Sequence, residues 1–243
     1  MKKPLRILHL YPREMNLYGD NGNILTLQKR CEWRNIPVEV IPYEPGDNPK
    51  KIESADIIFG GGGQDSGQAS IEDDLRTIGP ALRTKVESGT PILVICGFFQ
   101  LFGNFFETVD GDHFDGIGAF NIETYGGTKR LIGNVVEISE TFGTIVGYEN
   151  HSGQTVLNSD DVKPLGNVTL GAGNNDEDLQ EGVVYKNTIG TYLHGPILPK
   201  NPKIADFLIS KAIENRDGKE PDLVPLDDSI AELARIAHLS RPR

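Results

Sequence analysis

Short aliphatic runs alternate with amphipathic stretches through the first hundred residues. RILHLY (6–11), PVEVIPY (37–43), ADIIFGGGG (55–63) and PILVIC (91–96) are compact, apolar and bounded by polar or glycine-containing segments, so they read as strands. Between them, ILTLQKRCEWRN (24–35) places Ile24, Leu27 and Cys31 at helical spacing. A polar segment from Gln64 leads into helical sequence up to Ser88, and another helix starts directly after Cys96. NLYGDNGN (16–23) reads as a polar loop. Strands alternating with helices predict an α/β fold: a parallel sheet with helices on both faces.

The pattern changes after about residue 108. GIGAFNIET, RLIGNVVEIS, GTIVGYEN, GNVTLGAG, EGVVYKN and IGTYLHG are short and β-rich, with Gly or Asn between them. They predict an antiparallel extension of hairpins in the second half. NPKIADFLISKAIENR (201–216) returns to helix. The expected organisation is one domain over 1–218, then a linker and a C-terminal amphipathic helix within 219–243. On that last helix Ile230, Leu233, Ile236 and Ala237 share a face that suits either its own domain or a partner. The acidic GAGNNDEDLQEG (171–182) lacks the alternating ligand spacing of a calcium loop and reads as a hairpin connection or partner-facing loop.

Composition narrows the classes. The 243 residues carry a formal charge of −11, which argues against nucleic acid or an anionic bilayer as main partner. No apolar run approaches the ~18–20 residues of a spanning helix, and the start reads as a first strand rather than a signal peptide. Cys31 and Cys96 form no disulfide framework, which points to the reducing cytoplasm.

Ligands of open parallel sheets bind beyond the carboxyl ends of the strands. The 16–23 loop, the glycines at 60–63, Cys96 and His194 all fall at such ends. Cys96 stands where a strand turns into a helix, which exposes a side chain at the helix N-terminus and favours its thiolate. The local pattern also fits a small buried hydrophobe, and for Cys31, on a helix's apolar stripe, that is the expected role. A thiolate needs a proton partner. His9 lies within a strand and reads as core; His113 and His238 read as solvated. His194, at the end of a β run stopped by Gly195 and Pro196, fits better than His151, which sits in a polar loop. The FGGGGQD run (59–65) and the Gly97 amide are candidate oxyanion donors. No phosphate-loop motif occurs, so the chain is expected to hold no nucleotide of its own.

CGFFQLFG with FGGGGQD and GTYLHGP resembles class I glutamine amidotransferases of the cobyric-acid-synthase-like branch. NLYGDNGNI, TKRLIGN, ETFGTIVGYENHSGQT and the stretch from GAGNND to ILPKN narrow the resemblance to glutaminase subunits of lipid II isoglutaminyl synthases, over roughly residues 5–215. The resemblance implies a flavodoxin-like class I glutaminase fold that hydrolyses L-glutamine to glutamate and ammonia. It implies a Mur-ligase-like MurT partner that uses ATP to activate the D-glutamate α-carboxylate of lipid II, with no cofactor or metal in this chain. It makes Cys96 the nucleophile, His194 the base and acid, Gly61 and Gly97 the oxyanion donors, Gln100 the glutamine of the elbow motif and Arg130 the holder of the substrate α-carboxylate. The alternative is a stand-alone cysteine hydrolase of γ-glutamyl or peptide substrates.

Two positions depart from the family pattern. Phe98 replaces the glycine two places after the nucleophile, so a reshaped pocket wall is expected. Pro196 replaces the glutamate two places after the histidine, and the resemblance suggests that the acid comes from the MurT partner in trans. Asp20, Asp65 and Glu149 are the in-chain alternatives.

Overall fold

The computed structural model describes residues 3–240, apart from the side chain of Asp65. The first half runs β1 (Leu5–Leu10), α1 (Asn21–Glu32), β2 (Val38–Tyr43), α2 (Lys50–Glu53), β3 (Ile57–Gly60), α3 (Asp65–Glu87), β4 (Ile92–Ile95) and α4 (Gly97–Leu101). The strands fall where the aliphatic runs predict them. The loop read at 16–23 is shorter, because a 3-10 turn at Leu17–Gly19 leads directly into α1. The second half adds β5 (Phe105–Glu107), β6 (His113–Asp115), β7 (Ile122–Ser139), β8 (Gly143–Leu157), β9 (Gly166–Leu170), β10 (Gln180–Glu181), β11 (Val183–Tyr185) and β12 (Thr188–Thr191). Helices α5 (Pro202–Asp217) and α6 (Ser229–Leu239) close the chain.

The strands form two sheets. The first has the order β11-β12-β4-β3-β1-β2, parallel except for β11. Its central strands are buried on both faces, as an aliphatic run without alternation requires. Helices α1 and α5 pack together over one face, while α3 joins α2 and α4 over the other. The second sheet has the order β10-β9-β7-β5-β6, with β8 paired along β7. The sequence divides β7 at its glycines, but the backbone stays in one strand and absorbs an irregularity between Gly126 and Leu131.

IGTYLHG departs from expectation. It reads as part of the antiparallel extension, yet β12 lies parallel to β4 in the first sheet, with Thr191 opposite Ile95. Every residue of β12 is buried, so this short strand needs cover on both faces, and only the interior of the first sheet supplies it. The 171–182 stretch forms the antiparallel connection from β9 to β10.

The C-terminal helix is fixed to the body by charge. Arg30 of α1 is buried, gives Nε and Nη2 to Asp206 of α5 at 2.7 Å each, and reaches Asp228 at the start of α6 with Nη1 at 2.5 Å. The predicted apolar stripe does not pack on the domain: Ile230 is 81% and Leu233 66% exposed. Instead α6 turns inward the face that carries His238, which is buried rather than solvated. Arg30→Leu is expected to release α6, with faster proteolysis in 219–228. Removing a buried cation from two half-exposed carboxylates costs about 2 kcal/mol, roughly 4–8 °C in Tm by thermal melting.

Candidate active site

Strands β1, β3, β4 and β12 are neighbours in one sheet, and their carboxyl ends bring the 16–23 loop, the glycine run, Cys96 and His194 together. Cys96 sits between β4 and α4 with φ 49° and ψ −108°, a conformation that costs a non-glycine residue about 1–3 kcal/mol. The strain is held by the sheet: the Cys96 N–H donates to the Thr191 carbonyl at 2.8 Å, and α4 starts one residue later. The thiol is thereby turned toward a cavity of about 310 Å3, lined among others by Cys96, Gln100, Arg130, Gly63 and Tyr18.

His194 is fully buried beside Cys96. Its Nδ1 lies 3.4 Å from Asp20 Oδ1, a long contact, and Nε2 is buried with no hydrogen-bond partner among the described residues. Burial opposes a charge on this imidazole, but the Cys96 thiolate and the Asp20 carboxylate outweigh it, and the pKa is pushed up to about 10. The arrangement is a charged imidazole between the Cys96 side chain and a carboxylate. Among the in-chain alternatives, Asp20 is the carboxylate that meets the imidazole. Pro196 cannot serve, and it packs instead against Gly22 in the first turn of α1, where a Cβ would meet it at 2.5 Å. Glu149 is engaged elsewhere, accepting the N–H groups of Ala172 and Gly173. The side chain of Asp65 lies outside the described residues.

Gly62 is where the groups converge. A Cβ there would lie 2.7 Å from His194 Cε1, 3.2 Å from Asp20 Oδ2 and 3.4 Å from Cys96 Cβ. Its N–H donates to Asp20 Oδ2 at 2.7 Å, so it is already used. Gly61 packs against Met15 and Asp20 and does not line the cavity, whereas Gly63 does and lies directly against Gly97.

Phe98 does not reshape the pocket wall. It is buried beneath the elbow, stacked on Tyr11 at 5.8 Å, and Gly60 makes room for it: a Cβ at Gly60 would come within 2.7 Å of the ring. Gln100 is buried at the cavity floor, accepting from Gln68 Nε2 at 3.0 Å and donating to the Tyr192 hydroxyl at 3.2 Å. Arg130 is exposed at the cavity rim, with Nε on Asn150 Oδ1 at 2.6 Å.

The other histidines separate by environment. His151 is not in a free loop: it belongs to β8, lies flat on Tyr192 at 3.6 Å, and meets the Gly153 carbonyl through Nδ1 at 2.8 Å. Burial lowers its pKa to about 3, which keeps it neutral in the cavity wall. His9 is a core residue, lowered to about 4 by burial. The Cys31 thiol is pushed up to about 12 by burial, which leaves it inert.

Residues 6–202 match the CobB/CobQ-like glutamine amidotransferase domain. The chain belongs to this family. The amidotransferase is 46% identical over 212 residues to the lipid II isoglutaminyl synthase (glutamine-hydrolyzing) subunit GatD of Staphylococcus aureus, covering 87% of this chain and 86% of the relative. It is 39% identical over 232 residues to the GatD subunit of Streptococcus pneumoniae, covering 94% and 88%. In fold it is similar to a crystal structure of a glutamine amidotransferase, with a TM-score of 0.57 at 14% identity over 84% of this chain and 98% of that one.

The charge on His194 gives a pH prediction. A histidine whose folded pKa is raised contributes stability that is full below its unfolded value near 6.5 and is lost as pH rises through about 10. Asp20→Asn is expected to lower the His194 titration, and Cys96→Ala, which removes the larger raising cause, to lower it at least as far, as followed by NMR of the imidazole. An unchanged titration in Asp20→Asn shows that Asp20 does not hold the charge.

Proposed function

We propose that this amidotransferase is a glutaminase subunit that hydrolyses L-glutamine and passes ammonia to a ligase partner. The observation that carries the reading is Cys96 in the wall of one small cavity, with His194 and Asp20 buried together beside it and a guanidinium on the cavity rim. At about 310 Å3 the cavity is at the small end of ligand sites, which suits a single amino acid better than the peptide of the alternative hydrolase.

The chemistry follows from the groups present. Glutamine lies with its α-carboxylate on Arg130, where a guanidinium offers bidentate pairing, and its side-chain amide at Cys96. The Cys96 thiolate attacks the amide carbon. Negative charge moves to the amide oxygen, for which the N–H of Gly97 is one donor and an N–H of the glycine run, that of Gly61 or of the cavity-lining Gly63, the other. His194 gives its Nε2 proton to the leaving nitrogen, the C–N bond breaks, and ammonia departs from a γ-glutamyl thioester. The neutral imidazole then takes a proton from water as its oxygen attacks the thioester; the C–S bond breaks and glutamate leaves. Asp20 orients the imidazole and stabilises its charged form.

The likeness to GatD subunits over most of the chain supports a Mur-ligase-like MurT partner, with lipid II as the amide acceptor. ATP is consumed by that partner and no cofactor by this chain, at the cytoplasmic side of peptidoglycan synthesis. With Asp20 present, the isolated chain is expected to release ammonia from glutamine without the partner. Adding MurT, ATP and lipid II is expected to move that nitrogen into the lipid.

Two experiments test the reading. A glutamine-like diazo ketone is expected to label Cys96 and leave Cys31 untouched, as read by peptide mass spectrometry; labelling at neither thiol removes the glutaminase reading. Gly62→Ala, which drives a methyl into His194, is expected to lower the rate of ammonia release on the order of 100-fold. Wild-type turnover in that variant would show that the convergence at Gly62 is not the working geometry.

A further inference from the structure

Three side chains form a bridge across the cavity mouth. Arg130 Nε donates to Asn150 Oδ1 at 2.6 Å, and Asn150 Nδ2 donates to the Tyr18 hydroxyl at 2.7 Å. All three line the cavity. The orientation of the Asn150 amide is fixed by its neighbours: a guanidinium only donates, so the carbonyl faces Arg130 and the NH2 faces Tyr18. The bridge joins two separate parts of the fold. Arg130 and Asn150 stand on β7 and β8 of the second sheet, close to the irregularity at Gly126 and Leu131. Tyr18 stands on the 3-10 turn that leads into α1.

That turn carries the acid of the site. Tyr18 adopts φ 52° and ψ 24°, a left-handed conformation that a bulky residue takes only when its surroundings hold it. Two contacts do so here. Its ring meets the His194 ring edge-on at 4.9 Å, and its hydroxyl is held by Asn150. Two residues later, Asp20 contacts His194 Nδ1 and accepts the Gly62 N–H. The same short turn therefore presses on His194 from one side and supplies its carboxylate from another.

Resting on the glutaminase reading, we infer that Asn150 and Tyr18 are positioning residues that couple capture of the substrate α-carboxylate at Arg130 to the seating of the His194–Asp20 pair. Asn150 occupies the Nε edge of Arg130 and so presents the terminal nitrogens to a carboxylate. Any rotation of the guanidinium toward that carboxylate is transmitted through Asn150 to Tyr18, and so to the turn that holds Asp20. A substrate with an α-carboxylate is then selected at the reacting end of the site as well as at the binding end. An amide without one reaches Cys96 without tightening the turn.

Steady-state kinetics of ammonia release test this on the purified full chain. Asn150→Ala removes a hydrogen bond to a charged group and is expected to raise KM for glutamine roughly tenfold and to lower kcat severalfold, since capture no longer seats the His194–Asp20 pair; a rise in KM with kcat unchanged shows a binding role alone and overturns the coupling. Tyr18→Phe keeps the ring on His194 and deletes only the hydroxyl, and it is expected to change KM in the same direction. The double variant is expected to be no worse than Asn150→Ala alone, because both changes break one connection. A second readout uses two probes of Cys96: a glutamine-like diazo ketone, which carries an α-carboxylate, and iodoacetamide, which does not. In Asn150→Ala the diazo ketone rate is expected to fall at least tenfold further than the iodoacetamide rate.

Variants with KM and probe ratio within twofold of an active wild type overturn the coupling and leave the glutaminase reading standing. Equal losses with both probes also overturn it, since they show a merely structural role. A wild-type chain that neither releases ammonia nor takes the diazo ketone removes the glutaminase reading and this inference with it.

Discussion

The site depends on the absence of one carbon atom. The imidazole of His194, the carboxylate of Asp20 and the Cβ of Cys96 all lie within 3.4 Å of where a Cβ of residue 62 would stand. Three groups from three separate segments approach that closely only over bare backbone. Gly62 also spends its N–H on Asp20, so the residue that makes the space holds the acid in it. A buried charge on His194 is tolerable because the Asp20 carboxylate lies beside it; an isolated imidazolium would carry the full cost of desolvation.

Support for this cluster comes from behind. Glu181 is fully buried at the end of β10 and accepts from the Tyr192 N–H at 2.7 Å and from the Thr191 hydroxyl at 2.8 Å, which fixes the backbone that delivers His194. Burial pushes its pKa up to about 8, and Glu137, buried close to it, is raised well above the usual carboxylate range by burial first and by Glu181 second. The two do not carry full charge together at neutral pH. The negative potential at the site thus comes from Asp20, the acid in contact with the imidazole, more than from the carboxyls packed behind it. Gln100, Tyr192 and Thr155 form a buried polar chain beneath the cavity and give its floor a fixed hydrogen-bonding pattern.

Much of this was legible in the sequence, and the illegible parts share a cause. The aliphatic runs mark β1 to β4 because burial on both faces leaves an unmistakable pattern. Cys96 is visible because the end of such a run, followed by a helix, fixes where a side chain points. His194 is visible because Gly195 and Pro196 stop its strand. The pairing of β12 with β4 left no local trace, since four residues rich in Thr and Gly fit either sheet. Asp20 was one of three candidate acids, and the contact that separates it from Glu149 spans 174 residues of chain. Phe98 misled for the same reason: whether a bulky residue fits beneath the elbow depends on Gly60, on another strand. His151 looked like a loop residue because its polar neighbours reflect a cavity wall rather than solvent.

The pairing of β12 with β4 also separates what is rigid from what is adjustable. Thr191 and Ile95 are partners in one parallel ladder, so Cys96 and His194 leave the sheet from adjacent strands. Cys96 follows β4 directly and is placed by that ladder, whereas His194 lies three residues beyond β12 and is tied to β8, its N–H donating to the Tyr148 carbonyl at 2.8 Å. Asp20 and Arg130 lie outside that ladder: one rides on a turn, the other beside an irregularity in a different sheet. Divergence within this architecture therefore has an easy direction. The length and sequence of the turn can drift to suit new acyl donors or new ligase partners, while β8, which holds His194 through the Tyr148 carbonyl, is constrained together with β4.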